Sequence, residues 1–260
     1  MPFTPSRSLI TGASAGIGAA LAHGLARRGS DLILVARRED RLRRLAAELE
    51  TTHAVKCQVI GLDLAEERAG RRLRAAVDGD IDLLVNNAGV ATQGPFVDAE
   101  AQELDRVLTV DVAALVDICH AFLPGMIRRR KGAIVNVSST TAFQPVPSLA
   151  VYAAAKAFVL SFTQALWYEA RPHHVRVMAL APGPTRTEFF DVIGENAAIV
   201  GATQTSDEVA ATALRALDRP MVPLYVVSGT RNKLSAHLAQ VTPNRLLLPF
   251  ISRFMRGLDS

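Results

Sequence analysis

Cysteine and aromatic residues are scarce in this sequence, and both shortages narrow the kind of protein it encodes. Of 260 residues only two are cysteines, Cys57 and Cys119, and they form neither a disulfide framework nor the spacing of metal ligands. We therefore expect two buried thiols, no metal site and a cytoplasmic location, where thiols stay reduced. Aromatic residues make up 5% of the chain, so the predicted core consists mainly of Ala, Val, Leu and Ile.

The sequence also lacks a run of 18 or more apolar residues that is free of charge, which a membrane-spanning helix requires. The best candidate, VLTVDVAALVDICHAFLPGMI, is interrupted by Asp111 and Asp117 and ends near Pro124. The first residues, MPFTPSRSLITGAS, lack the basic-then-apolar layout of a signal peptide. We expect no membrane association.

Charge of one sign is not in large excess, since the formal net charge is +4. The densest basic run, RRRKG at 128–132, has no interleaved aromatic residues and no recognition motif, so we expect no nucleic-acid partner. The run follows a helical pattern. There its cations complement the helix dipole, and Gly132 suits the position after the last turn.

Short hydrophobic runs alternate with longer amphipathic segments along the chain. The runs are nearly continuous, which is typical of strands in a sheet covered on both faces. Strand–helix alternation of this kind predicts an α/β fold with a doubly wound parallel sheet of about seven strands and helices on both faces. Strands are predicted at 7–11, 31–36, 54–62, 82–87, 133–139, 175–182 and 223–229, and helices at 16–29, 39–52, 65–77, 99–130 (one helix or two), 150–171 and 206–218.

No repeat, low-complexity tract or linker divides the chain, so we expect a single domain over residues 1–260. Two segments depart from the alternating pattern. Residues 183–205 form a long connection, which we interpret as a substrate lid because long loops in compact domains tend to be functional. Residues 230–260 form a C-terminal tail that we expect to pack on the domain or in a subunit interface. Covering the substrate pocket or touching a membrane are the alternatives.

A glycine-rich loop follows the first predicted strand and opens the first helix. Its sequence, GASAGIG, places Gly12, Gly16 and Gly18 on a strand-to-helix turn. Backbone can approach a pyrophosphate closely there, and free N–H groups at the helix N-terminus favour the anion. A turn that merely allows tight packing of helix on sheet is the alternative.

The spacing of these glycines, together with later motifs, resembles the classical short-chain dehydrogenases/reductases. The resemblance covers residues 7 to about 229, through TGASAGIG, NNAG (86–89), Ser139, the Tyr152–Lys156 pair and PGPTRT (182–187). It implies a Rossmann-type fold that binds a dinucleotide. The implied cofactor contacts are Gly12, Ser14, Gly16, Ile17, Gly18, Asp63, Leu64, Asn87, Ala88, Gly89, Tyr152, Lys156, Pro182, Gly183, Thr185 and Thr187. Asp63 is alternatively a cap for a helix starting near Ala65, and the two threonines alternatively only shape their loop.

The end of the second predicted strand indicates which dinucleotide is bound. Relatives that prefer NAD usually carry an aspartate where this sequence has Ala36, and Arg37 and Arg38 follow. A guanidinium offers a fork of donors suited to a 2′-phosphate. We therefore predict NADP(H) as the cofactor. The alternative is that both arginines are solvated residues before a helix.

Tyr152 and Lys156 lie four residues apart, so a helix brings them to one face. A nearby ammonium favours the phenolate and would lower the pKa of the tyrosine, which could then exchange a proton with a substrate oxygen. By the resemblance, Ser139 hydrogen-bonds the same oxygen and Lys156 holds the nicotinamide ribose. A tyrosine packed under a loop beside a solvated lysine is the alternative.

Asp111 departs from the family's pattern, which usually has asparagine 41 positions before the tyrosine. By the resemblance, that asparagine helps to hold a water that links the lysine to solvent. An aspartate accepts similar hydrogen bonds but does not donate when ionised. Its charge would stabilise protonated Lys156 and oppose the Tyr152 phenolate. We expect a working variant of the catalytic set Ser139, Tyr152, Lys156 and Asp111.

These patterns together predict an NADPH-dependent oxidoreductase that reduces a carbonyl, or oxidises the corresponding alcohol, of a hydrophobic small molecule. Apolar residues in the expected lid, Phe189, Phe190, Val192, Ile193 and Ile199, favour an apolar ketone, aldehyde or alcohol as substrate. The resemblance also implies a homodimer or homotetramer. A catalytically impaired NADP(H)-binding sensor or scaffold is the alternative function, and Asp111 is its only support.

Overall fold

A seven-stranded parallel sheet forms the centre of the protein. The computed structural model describes residues 2–188 and 202–256. Its strands are β1 (Arg7–Thr11), β2 (Asp31–Ala36), β3 (Cys57–Gly61), β4 (Leu83–Asn86), β5 (Gly132–Val137), β6 (Val175–Ala181) and β7 (Tyr225–Val227). They are ordered β3-β2-β1-β4-β5-β6-β7, and each neighbouring pair is parallel. The predicted fold class is therefore confirmed.

Helices cover both faces of the sheet. They are α1 (Gly16–Ala26), α2 (Glu39–His53), α3 (Ala69–Ala76), α4 (Ala101–Leu108), α5 (Leu115–Arg129), α6 (Ala150–Ala170), α7 (Ser206–Leu217), α8 (Thr230–Val241) and α9 (Asn244–Arg256). Side chains of α1, α2 and α7 form one core layer, and those of α3, α5 and α6 form the other.

Strands β1 to β6 supply side chains to both layers, because successive residues of a strand point to opposite faces. In β2, Leu32 and Leu34 belong to the layer of α1, α2 and α7, whereas Ile33 and Val35 belong to the opposite layer. All four are at most 1% exposed. This two-sided burial is the physical reason for the unbroken hydrophobic runs in the sequence.

Helix ends follow local signals in some places and tertiary packing in others. Thr205 and Glu208 form a capping box at the start of α7, with the Glu208 amide donating to Thr205 Oγ1 at 3.2 Å.

The predicted role of Gly132 as the residue after the last turn of α5 is wrong, because Arg130 takes the left-handed conformation there. Gly132 instead begins β5, where a Cβ would lie 2.6 Å from Met126 Cγ.

Two prolines lie inside helices. Pro124 lies within α5 and Pro249 within α9. A proline inside a helix removes one backbone hydrogen bond and strains the preceding turn. Burial of neighbouring side chains offsets that loss, since Phe122, Met126 and Ile251 are at most 5% exposed.

The segment predicted as one helix or two is a continuous helical stretch from Ala101 to Arg129, with a π-helical turn at Thr109–Ala114 between α4 and α5. By length and composition this stretch could cross a membrane, since an 18-residue window has a mean hydropathy of 1.7. Its centre, however, carries Asp111 paired with Lys156 of α6, and α5 packs against α3 and β5. The stretch is therefore part of the protein core.

The two cysteines differ in their surroundings. Cys119 is buried as expected, and burial raises the pKa of its thiol to about 12. Cys57 is only partly buried, contrary to the expectation, because β3 is the edge strand of the sheet. Its pKa is raised to about 11, first by burial and then by Glu50 and Asp31.

Candidate active site

A cavity of about 610 Å³ opens at the carboxyl ends of the strands. It lies where the strand order reverses between β1 and β4, the position at which doubly wound sheets bind ligands. Nearly all the residues predicted for the site line it. The two exceptions are Gly18, which packs under the glycine loop, and Asp111, which lies behind Lys156.

The glycine loop is shaped by close backbone contacts. Gly12 has a φ of +66°, and a Cβ on it would lie 2.8 Å from Asn87 Nδ2. A Cβ on Gly18 would lie 2.3 Å from the carbonyl oxygen of Gly12. No side chain fits at either position, so the loop leaves its backbone bare at the start of α1.

Asn87 ties the glycine loop to the loop after β4. Its side-chain amide donates to the carbonyl oxygens of Thr11 at 3.0 Å and of Gly12 at 3.2 Å. In return, Thr11 Oγ1 accepts the backbone amides of Asn87 and Ala88 at 3.0 and 3.1 Å. These bonds fix the two central loops of the cavity relative to each other.

Basic residues surround one end of the cavity, beside the ends of β2 and β3. Arg38 donates to Ser14 Oγ at 3.2 Å and to the Glu188 carboxylate at 2.7 Å. Arg37 lines the same end and helps to lower the pKa of Asp63.

Asp63 is predicted either to contact the cofactor or to cap a helix, and it has features of both roles. Its carboxylate accepts the Ala65 amide at 3.0 Å and lines the cavity, but α3 begins later, at Ala69, so it caps a turn rather than that helix. Arg106 of α4 also donates to both of its carboxylate oxygens, at 3.1 and 2.9 Å. Burial tends to raise the pKa of Asp63, but these hydrogen bonds outweigh burial and lower it.

Ser139, Tyr152 and Lys156 come together at the middle of the cavity. Ser139 follows β5, and its Oγ accepts the Thr141 amide at 3.1 Å. Tyr152 and Lys156 share a face of α6, with Lys156 Nζ 5.5 Å from the centre of the tyrosine ring. Both side chains are buried, at 9% and 4% exposure. The alternative of a solvated lysine is therefore wrong.

The Lys156 ammonium is held by groups from two other elements. Its Nζ contacts Asp111 Oδ2 at 2.8 Å and donates to the Val137 carbonyl oxygen at 3.2 Å. The π-helical turn carries Asp111 into this position, where Oδ1 accepts the Val90 amide at 2.8 Å. Such turns inside α-helices are frequent at functional sites.

Gly89 leaves room for this ion pair. A Cβ on Gly89 would lie 3.1 Å from both Asp111 Oδ2 and Lys156 Nζ. A glycine at this position thus lets the loop after β4 pass directly over the buried pair.

The protonation states follow from burial and from the ion pair. Burial raises the pKa of Tyr152, with Asp111 adding to this effect and Lys156 and Ser139 opposing it. Burial alone would lower the pKa of Lys156, but attraction from Asp111 and Tyr152 outweighs it and raises that pKa. Burial also raises the pKa of Asp111, against the effect of Lys156. The expected lowering of the tyrosine pKa is therefore reversed in this structure, because burial is the larger effect.

The loop after β6 closes the cavity from another side. Thr185 Oγ1 donates to the Gly183 carbonyl oxygen at 2.9 Å, and Thr187 Oγ1 to that of Thr185 at 3.2 Å. Both threonines line the cavity and shape their loop. The apolar lid residues at 189–199 lie outside the described residues.

The C-terminal tail lines the cavity, which the sequence patterns left as an alternative. Ser235 and Ala236 of α8 and Ile251 of α9 form part of the wall. Ile251 is 1% exposed and packs in a cluster with Val146 and Leu149, which also line the cavity. These residues belong to no sequence motif, so only the fold brings them to the site.

No cluster of three or more His, Cys, Asp or Glu side chains that could hold a metal ion occurs within residues 2–188 and 202–256.

Comparisons with known proteins agree with this geometry. A family model described as short chain dehydrogenase matches residues 7–198. The very-long-chain 3-oxoacyl-CoA reductase of Bos taurus is 33% identical over 196 residues, which are 74% of this chain and 63% of that protein. The inactive hydroxysteroid dehydrogenase-like protein 1 of Homo sapiens is 36% identical over 182 residues, which are 67% of this chain and 54% of that protein. The chain thus spans less than two thirds of the length of these curated relatives.

A solved structure matches over nearly its whole length. It is a short-chain dehydrogenase from Sphingobium yanoikuyae in complex with NADPH, 34% identical to this chain, with a TM-score of 0.78. The match covers 91% of this chain and 96% of that one.

Proposed function

Since the chain belongs to the short-chain dehydrogenase family of oxidoreductases, we propose that it reduces a carbonyl group of a hydrophobic small molecule with NADPH, or oxidises the corresponding alcohol with NADP⁺. The observation that carries the proposal is the meeting of Ser139, Tyr152 and Lys156 in the cavity that the glycine loop also lines. NADP(H), when bound, supplies or accepts the hydride.

The residues present fit a dinucleotide. Gly12 and Gly18 leave no space for side chains, so backbone amides at the N-terminus of α1 are open to a pyrophosphate. Arg37 and Arg38 line the end of the cavity beside β2, and that strand ends in Ala36 rather than in a carboxylate. Arginine forks suit a 2′-phosphate, which supports NADP(H) over NAD(H). The NADPH complex of the similar Sphingobium yanoikuyae protein also supports this choice.

Tyr152 is the proposed proton donor to the substrate oxygen. Its raised pKa keeps the phenol protonated at neutral pH, which is the state that a general acid needs. Ser139, placed close enough to affect that pKa through a hydrogen bond, would donate to the same substrate oxygen and orient it. The Lys156 ammonium opposes part of the burial effect, and so makes proton release easier than it would be for an isolated buried phenol.

The cavity supports an apolar substrate. Near Tyr152 the wall consists largely of aliphatic side chains, including Val146, Leu149 and Ile251, and Gln144 and Ser235 add a few polar groups. The similar bovine protein is named as a reductase of very-long-chain 3-oxoacyl-CoA, a ketone with a long apolar chain. An apolar ketone, aldehyde or alcohol is the proposed substrate class for this chain.

The substitution Tyr152→Phe tests the proposal. Turnover of a panel of apolar ketones, followed as NADPH consumption, should fall at least about a hundredfold, because proton donation is lost. NADPH binding measured by calorimetry should remain. Tyr168→Phe, at a side chain that is 71% exposed, is the matched control and should leave turnover unchanged. Full turnover by the Tyr152→Phe variant would refute the proposed role of the tyrosine.

A cofactor-binding sensor without turnover is the second candidate, favoured by the Asp111–Lys156 pair and by the similarity to a human protein named as inactive. NADPH binding by the unmodified protein, with no turnover of any ketone or alcohol in the panel, would support it. Measurable turnover would exclude it.

We also propose that the protein is a cytoplasmic homodimer or homotetramer that pairs α4, α5 and α6. Leu108 of α4 and Phe158 of α6 are 48% and 43% exposed, which supports an apolar surface for pairing. Light scattering that shows a monomer at micromolar concentration would reject the proposed oligomer.

A further inference from the structure

The carboxylate of Glu188 pairs with Arg38, which contacts the glycine loop, and with Arg41. Glu188, in the loop after β6, accepts a hydrogen bond from Arg38 Nη1 at 2.7 Å and forms a second ion pair with Arg41 of α2. The Arg38 bond spans 150 positions in the sequence, so no local pattern indicates it.

Arg38 is the centre of this cluster. It lines the cavity, and its other terminal nitrogen donates to Ser14 Oγ in the glycine loop at 3.2 Å. Glu188 lines the cavity at the same end, whereas Arg41 is not part of the wall. The carboxylate therefore accepts from the guanidinium that faces the space next to the glycine loop.

Glu188 is ionised at neutral pH. Hydrogen bonds from Arg38 and Arg41 lower the pKa of its carboxyl group. A carboxylate and a phosphate compete for the same guanidinium donors, since both are anions that accept its N–H groups. A phosphate brought to Arg38 would also be repelled by Glu188 if the carboxylate stayed in place.

We propose that Glu188 determines how strongly the site discriminates between NADP(H) and NAD(H), by competing with the 2′-phosphate for Arg38. The inference rests on the proposed NADP(H)-binding function and adds a residue to it. A 2′-phosphate must take the Arg38 donors from Glu188, whereas a ribose 2′-hydroxyl makes no such demand. Glu188 thus lowers the affinity for NADP(H) and leaves that for NAD(H) nearly unchanged.

The substitution Glu188→Gln tests this competition. It keeps the shape of the side chain and removes the charge. Calorimetry at low ionic strength should show NADP⁺ and adenosine 2′,5′-bisphosphate binding about three- to tenfold more tightly, since exposed charge pairs have modest energies. Binding of NAD⁺ and AMP should change less than about twofold. The gain should shrink above about 0.5 M salt, because screening weakens exposed charges.

Two further variants isolate the mechanism. Glu103→Gln removes a negative charge elsewhere in the cavity wall and should not produce the gain. In an Arg38→Gln background, Glu188→Gln should have almost no effect, because the shared partner is gone.

The outcomes separate this inference from the function on which it rests. If the unmodified protein binds neither NADP⁺ nor NADPH, both fail. If it binds NADP⁺ and Glu188→Gln leaves that affinity unchanged or weaker, the function stands and the competition is refuted. A gain that persists in the Arg38→Gln background would also refute it.

Discussion

At residue 111 this chain has an aspartate where the resemblance to the family leads us to expect an asparagine. The sequence predicts that its charge stabilises protonated Lys156 and opposes ionisation of Tyr152. In the structure, Asp111 raises the pKa of both side chains, as this prediction requires. Asp111 and Lys156 are 1% and 4% exposed, so little solvent screens their pairing. The aspartate therefore acts on the tyrosine directly through its charge as well as through the lysine.

Asp111→Asn should move the pH profile of catalysis without abolishing activity. Because Asp111 raises the pKa of both Tyr152 and Lys156, its neutralisation should lower both values. Alcohol oxidation needs the phenolate, so its rise with pH should shift to lower pH. The loss of carbonyl reduction at alkaline pH should shift the same way. Profiles of kcat/KM from about pH 6 to 10.5 in both directions measure the shift.

Asp117→Asn provides the control, since this carboxylate binds the Gly70 amide at 2.7 Å, away from the cavity. Superimposable profiles for the Asp111→Asn and unmodified proteins would contradict electrostatic coupling.

The sequence predicts those site residues whose place in the fold follows directly from their spacing along the chain. Tyr152 and Lys156 lie one turn apart on α6, and Ser139 follows β5, so a helix and a strand end suffice to place them. Glu188 and Ile251 reach the cavity from the loop after β6 and from α9. Their types and neighbours carry no signal, because only the packing of distant segments brings them to the wall.

At the scale of elements, the predicted strand bounds are most accurate where a hydrophobic run lies inside the sheet and is covered on both faces. β1 and β2 have the predicted bounds, because both lie inside the sheet. The edge strand β3 is shorter than the predicted 54–62, since it has one neighbour to pair with. Helices α8 and α9 lie in the segment that the sequence predicts only as a tail, because local propensity does not include the packing energy that holds a helix together.

Helices α3 and α5 pack closely enough to make one glycine essential. A Cβ on Gly70 would lie 2.3 Å from the carbonyl oxygen of Asp117, a backbone atom that has no freedom to move aside. Gly70→Ala should therefore lower the free energy of unfolding by about 1–3 kcal/mol, as overpacking does. Chemical denaturation would measure the loss.

Gly125→Ala in α5 is the matched control for this prediction. The nearest atom to its added Cβ is the end of the Arg129 side chain at 3.3 Å, which can move. This substitution should be neutral or stabilising, because alanine favours a helix by about 1 kcal/mol over glycine. Equal losses at both positions would contradict the packing argument.

At the scale of the whole molecule, Asp82 joins three strands at the end of the sheet opposite the cavity. Its carboxylate accepts the Ser6 amide at 3.0 Å, before β1, and Lys131 Nζ at 2.9 Å, before β5. The Asp82 backbone amide donates to the Arg7 carbonyl oxygen, and the Asp82 carbonyl oxygen accepts the Ala133 amide, both at 2.8 Å. Burial tends to raise the pKa of Asp82, but the bonds from Lys131 and Ser6 outweigh burial and lower it.

Global stability should therefore depend on Asp82 in acid. A carboxyl group whose pKa is lowered in the folded state stabilises the fold above its unfolded value of 3.8, and loses this contribution as the pH falls through the folded value. The difference in unfolding free energy between the unmodified protein and Asp82→Asn should be largest near neutral pH and shrink below pH 3.8. Urea unfolding across this range measures it, and a difference independent of pH would contradict the argument.

The anchoring of Lys156 has a consequence for the whole catalytic centre. The Asp111 carboxylate and the Val137 carbonyl hold its ammonium, and Ser138 Oγ donates to its backbone carbonyl oxygen at 2.8 Å. A lysine immobilised in this way has lost rotamer freedom, which costs up to about 2 kcal/mol, during folding rather than during catalysis. The centre is therefore preorganised at the expense of fold stability. Replacing the buried Asp111–Lys156 pair with apolar side chains of similar volume should raise the free energy of unfolding and abolish the proposed activity.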